Sequence, residues 1–212
     1  MRQTKVHNLI ILDESGSMSG IKSLVMQGFN KTISTIKEEQ QNYPEQQHTI
    51  SIISFNGFGK KMLHFCDPVT SVDFIDEKRC IPDASTPLYD AIGFAVNKLK
   101  LVLNQEESYH VLVTILTDGE ENASTEYSAL AIRQLIGQLS ESNWNFTYIG
   151  TDHDVTKAAE NIAIKHSISF DKNTNGIEIM FQKDRESRKS IYRKIFDKFS
   201  SSDKHHSDYE GS

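Results

Sequence analysis

Asp13, Ser15 and Ser17 are spaced by two in the stretch DESGSMSG, directly after the apolar run Leu9 to Leu12. In an extended segment alternate side chains point the same way, so one carboxylate and two hydroxyls can converge. Two more oxygen-bearing segments stand far along the chain. Thr86 precedes Pro87 in STPLYDAI, and proline at a first helical position marks a helix start. Asp118 follows the apolar run HVLVTILT and opens DGEEN. Two carboxylates and three hydroxyls form a set of hard oxygens that suits Mg2+, with Mn2+ or Ca2+ as open substitutes. They neutralise a divalent ion only in part, so a coordination position left to water attracts a carboxylate from outside. That donor set favours capture of an acidic side chain over hydrolysis.

Other chemistries fit the same residues less well. An EF-hand loop starting at Asp13 needs glycine and glutamate where Met18 and Leu24 stand. A nucleophile elbow needs serine at the centre of G-x-S-x-G, but Gly16 to Gly20 reads G-S-M-S-G. A phosphotransferase aspartate of the D-x-D type needs a carboxylate in place of Ser15, and the Gly-Lys-Ser/Thr of a P-loop is absent. Helix capping accounts for the serines of the first loop alone. It does not account for Thr86 and Asp118. The chain is therefore expected not to be an enzyme. Two alternatives stay open: a metal-dependent, phosphoesterase-like hydrolase using Asp13 or Asp118 with the cation, and a metal-free scaffold.

The elements that must position these residues alternate. Val6 to Leu12, His48 to Phe55, His110 to Leu116, the segment NFTYIGT and Ser167 to Phe170 read as strands. Asn56-Gly57 predicts a hairpin into an edge strand, Lys61 to Phe65. Apolar residues at helical spacing predict helices after Ile21, from Pro87, around Ile132 to Leu139, from about Val155 to Ile164, and over 175–199. This pattern predicts an α/β fold: a doubly wound, Rossmann-like sheet, mostly parallel with one antiparallel edge strand and helices on both faces. In the order 3-2-1-4-5-6 the ligand crevice lies at the carboxyl ends of the first and fourth strands. Those ends deliver Asp13 and Asp118.

The stretch DESGSMS resembles the D-x-S-x-S motif of the von Willebrand factor A domain. In that family a metal-ion-dependent adhesion site is completed by a threonine and a distal aspartate, which Thr86 and Asp118 match in order and context. The resemblance covers the chain to about Ile168 and is nearest to small stand-alone bacterial and phage-encoded members. It implies that Ser15, Ser17 and Thr86 ligate the metal directly. It implies that Asp13 and Asp118 ligate it directly or through water, with an acidic residue of a partner protein completing the shell. It further implies a last helix, 175–199, able to shift when the site is filled. The chain departs from many relatives in having Asp83, Ala84 and Ser85 where glycines precede the threonine. It also lacks the acids after Ser19 that an adjacent calcium site would need.

At 212 residues the chain is long enough for one domain with a sizeable core, expected over 1–199, with a disordered polar tail over 200–212. Net charge is −6, yet Lys183 to Lys198 carries seven basic against three acidic residues. An acidic body argues against nucleic-acid binding, and the basic stretch is expected to be a solvated helix face. The N-terminal apolar run is too short for a secretory signal or a membrane span, and with two cysteines, Cys66 and Cys80, reduced thiols in a cytoplasm are expected. Glu120, Glu121, Asp152 and Asp154 sit at the expected crevice as solvated, lining or capping acids. Asp90 is a candidate outer acceptor, His153 a bystander and Trp144 a packing residue.

Overall fold

Residues 3–79, 81–104, 106 and 108–207 are described by a computed structural model. Cys80 and residues 208–212 lie outside them. Six strands form one sheet in the order β3-β2-β1-β4-β5-β6. They are β1 (Thr4–Asp13), β2 (Gln46–Asn56), β3 (Gly59–Pro68), β4 (Tyr109–Leu116), β5 (Trp144–Gly150) and β6 (His166–Ser169). Every pairing is parallel except β2 with β3, joined through Gly57 and Phe58. The helices are α1 (Lys22–Asn42), α2 (Leu88–Leu103), α3 (Ala129–Ser140), α4 (Val155–Asn161) and α5 (Thr174–Ser207).

The central strand shows why both faces must be covered. Leu9 and Ile11 pack with the apolar residues of α2, α3 and α4, whereas Ile10 and Leu12 pack with α1 and the start of α5. All four are fully buried. A continuous apolar run is what a parallel strand between two helical layers requires. The order and the antiparallel edge agree with the sequence-based expectation.

Two differences lie in α5. The helix runs on through Ser207, where a disordered tail is expected from residue 200. Once a helix is nucleated each further residue adds a hydrogen bond, so polar residues can prolong it. The basic stretch is also not uniformly solvated: Asp184 and Arg188 are buried. Arg188 Nε donates to Asp184 Oδ2 at 2.8 Å and Nη1 to Asn8 Oδ1 at 3.2 Å. Its Nη2 reaches the Thr114 hydroxyl, and the Tyr192 hydroxyl donates to Asn8 Oδ1. A charged, hydrogen-bonded cluster thus fastens α5 to β1 and β4.

α1 and α5 approach closely at Gly28, where a Cβ would lie 1.9 Å from the Phe181 ring. Phe181 in turn meets Phe29 edge-on, with ring centroids 5.3 Å apart. Gly28→Ala therefore overpacks this contact and is expected to cost about 1–3 kcal/mol. A thermal melt checks it. A variant as stable as the parent would mean that α5 yields to the extra methyl.

Candidate metal centre

β1 ends at Asp13, in register with Phe55 of β2 and one residue beyond the Leu12–Leu116 pair with β4. Asp13 is fully buried and both its oxygens are used. Oδ1 accepts from the Ser15 backbone N–H at 2.7 Å, and Oδ2 from the Thr117 hydroxyl at 2.6 Å. The first bond curls the chain so that Ser15 and Ser17 come forward, their hydroxyl oxygens 3.2 Å apart. Ser17 Oγ donates to Asp118 Oδ1 at 2.6 Å. A Cβ on Gly119 would lie 3.9 Å from Thr86 Oγ1 and 4.0 Å from Ser17 Oγ. The two hydroxyls therefore approach one point of backbone. All five expected residues meet at the carboxyl end of the sheet.

Several residues hold this group; sequence reading singles out Glu121 alone among them, and as a crevice acid with solvation expected, not as a loop anchor. Thr117 clamps Asp13. Asn122 accepts from the Thr86 N–H through Oδ1 at 2.9 Å and donates its own N–H to Thr86 O at 3.2 Å. Glu121 accepts from the N–H groups of Tyr89, Ala123 and Ser124, tying the loop after β4 to the first turn of α2. Glu14 is buried and accepts from Lys61 Nζ at 3.1 Å, anchoring the hairpin strand to the site loop. Ala84 adopts a left-handed φ of 62°, a conformation that suits glycine.

The flanking acids divide by role. Asp90 accepts from the N–H groups of Thr125, Glu126 and Tyr127, so it organises a loop and does not reach the oxygen cluster. Asp154 caps α4, accepting from Lys157 N–H. His153 contacts Thr151 O and the Tyr148 hydroxyl, and Trp144 stacks on Phe146. Asp152, at a left-handed φ of 61°, contacts Lys172.

Charge decides what the site attracts. Burial pushes the Asp13 carboxyl up to about 6; the Thr117 and Ser15 hydrogen bonds oppose this, and the Asp118 charge adds to it. Two neighbouring buried acids call for positive charge. Lys172 Nζ lies 2.8 Å from Asp118 Oδ2 and 2.6 Å from Asp152 Oδ2. Among the described residues no group of three or more His, Cys, Asp and Glu side chains is arranged for a metal. A cation here would thus depend on hydroxyl oxygens, and the donor set fits a hard ion.

The fold is that of the von Willebrand factor A domain. Solved structures that share it include the minor pilin PilB of Streptococcus sanguinis, at 12% identity over 87% of this chain and 61% of that one, TM-score 0.64. The vWF domain of the type V pili tip protein Mfa5 from Porphyromonas gingivalis matches at 8% identity over 88% and 96%, TM-score 0.59. The SpRpn10 VWA domain matches at 12% over 84% and 93%, TM-score 0.57. The chain spans less than two thirds of the pilin and under half of two further matching proteins. No family model matches the chain, and no curated protein matches its sequence. Among the described residues no helix is long and apolar enough to cross a membrane.

Proposed function

We propose that this chain is a non-enzymatic protein-binding module whose grip depends on a divalent cation, Mg2+ in the first instance. The observation that carries the reading is the convergence of Asp13, Ser15, Ser17, Thr86 and Asp118 from three separate loops on one point that holds two buried carboxylates and opens to solvent at Ser17. Ser15, Ser17, Thr86 and Asp118 would hold the ion. Asp13, with both oxygens engaged, orients the first loop and supplies charge. A bound divalent cation supplies an open coordination position for a carboxylate. A partner presenting an aspartate or glutamate side chain is the matching ligand. Among the described residues no histidine pairs with the carboxylates of this site: Asp13 is held by Thr117 and the Ser15 N–H, and Asp118 by Ser17 and Lys172. With both acids engaged in these bonds, the site favours binding over hydrolysis.

The test is a thermal melt of the parent chain and Asp118→Ala in EDTA, Mg2+, Mn2+ and Ca2+. A ligand that binds only the native state at a hundred times its Kd adds about 2.7 kcal/mol. The parent is expected to gain stability with the cation and Asp118→Ala to gain none. Immobilised parent chain is expected to retain its partner in Mg2+ and release it in EDTA, and Ser15→Ala to retain none. Equal retention in EDTA would sink the reading.

A further inference from the structure

Lys172 enters the site from the segment between β6 and α5, far from the three loops that build it. Its ammonium bridges two acids, Asp118 Oδ2 at 2.8 Å and Asp152 Oδ2 at 2.6 Å. The two acids differ. The Asp118 side chain is fully buried, whereas that of Asp152 is 58% exposed. Asp118 Oδ1 is already taken by Ser17, so Lys172 holds the oxygen that the rest of the site leaves over. Asp152 steadies the lysine from the solvent side, and its left-handed backbone directs it there. The next residue, Asn173, accepts from Gly176 N–H and so caps the first turn of α5. The lysine backbone is therefore anchored beside a helix start and the ammonium is tethered.

We propose that Lys172 is a built-in counter-cation that competes with the divalent ion for Asp118 and sets the affinity of the site. The inference rests on the cation-dependent reading above and deepens it. With the ammonium on Asp118, the buried carboxylate is neutralised without metal, and the cation-free fold is stable. A divalent ion on the same carboxylate puts like charges together in a poorly solvated pocket, so the ion must displace the ammonium. Loading is then weak by itself. A partner carboxylate, which adds negative charge at the mouth, tips the balance toward the ion. Lys172, once released from Asp118, remains beside Asp152 as a second positive group facing that carboxylate.

Isothermal titration of Mg2+ into the parent, Lys172→Met and Lys172→Arg is the first arm. Lys172→Met is expected to bind Mg2+ with a Kd lower by about tenfold or more, because the competing charge is gone. Lys172→Arg is expected to stay close to the parent. Binding to Lys172→Met that is no tighter than to the parent overturns the competition while leaving the cation reading standing. Melts in EDTA form the second arm. Lys172→Met is expected to melt below the parent, and the difference to shrink when both carry Asp118→Ala. If no variant binds Mg2+, the cation reading falls and the competition with it. The EDTA melts still judge the counter-charge: no difference in EDTA overturns it as well.

Discussion

Arg188→Met is expected to lower the stability of the fold by about 3–5 kcal/mol, because it strands the Asp184 carboxylate in the interior without a counter-charge. Burial disfavours the Arg188 charge, and Asp184 and Tyr192 together more than compensate, so its pKa stays raised and the guanidinium charged. The guanidinium spreads its donors over Asp184, Asn8 and Thr114, which belong to α5, β1 and β4. Removing it therefore breaks bonds to three elements. For a domain of this size each kcal/mol moves the melting temperature by about 2–4 °C, which makes the fall about 6–20 °C. Replacing both charges, as Asp184→Leu with Arg188→Met, is expected to recover most of the loss, since apolar pairs often substitute for buried ion pairs without penalty. A single variant within two or so degrees of the parent would show that the carboxylate finds water or a proton at little cost.

Acid is expected to unfold the chain earlier than its carboxylates alone would dictate. His7 and His48 are buried, and burial pushes both down to about 4 from 6.5. For His48 the Arg188 charge adds to the effect; the Tyr192 ring packs edge-on against it and the Asn8 amide lies at 3.5 Å. For His7 the Glu106 charge opposes burial and Lys5 reinforces it. The native state thus binds fewer protons than the unfolded chain between the two values. The stability from each histidine is complete above about pH 6.5 and is lost as pH falls toward 4, at about 3 kcal/mol apiece. His110, also lowered by burial and by Lys198, acts in the same direction. Asp13, raised from 3.8 to about 6, works the other way and returns a comparable amount as pH falls from 6. Two full shifts against one leave a net loss of about 3 kcal/mol on going from pH 7 to pH 4 in EDTA. Urea unfolding at intervals across that range measures it. His48→Gln should make the dependence shallower. An unfolding free energy that stays flat or rises in acid would contradict the buried neutral histidines.

Much of this architecture is legible in the chain. The run Leu9 to Leu12 and the run His110 to Leu116 are apolar without alternation, which identifies them as covered strands, and Asn56-Gly57 identifies the hairpin. Strand order then brings the residues after those strands together, so Asp13 and Asp118 could be paired without coordinates. What escaped is of another kind. Lys172, Asn122 and Thr117 act by pairing with residues remote in sequence, and such pairings leave no period to detect. Arg188 is a partial exception. It stands four residues after Asp184, a spacing that pairs charges on any helix, but exposed and buried pairs share that spacing. The polar residues Asn8 and Thr114, each beside an apolar run of its strand, are the hint that a helix brings charge to them.

The two bonds that close the site, Ser17 to Asp118 and Thr117 to Asp13, join residues 101 and 104 positions apart. Neither can exist until β4 has slotted in beside β1, across a loop that includes α1, the hairpin and α2. Loops of that length close late and make folding slow relative to helix formation. During synthesis the first half of the chain can collapse around α1 and β2, yet of the site's two carboxylates it owns Asp13 alone. The finished centre is a property of the completed sheet, so a nascent or half-unfolded chain does not possess it.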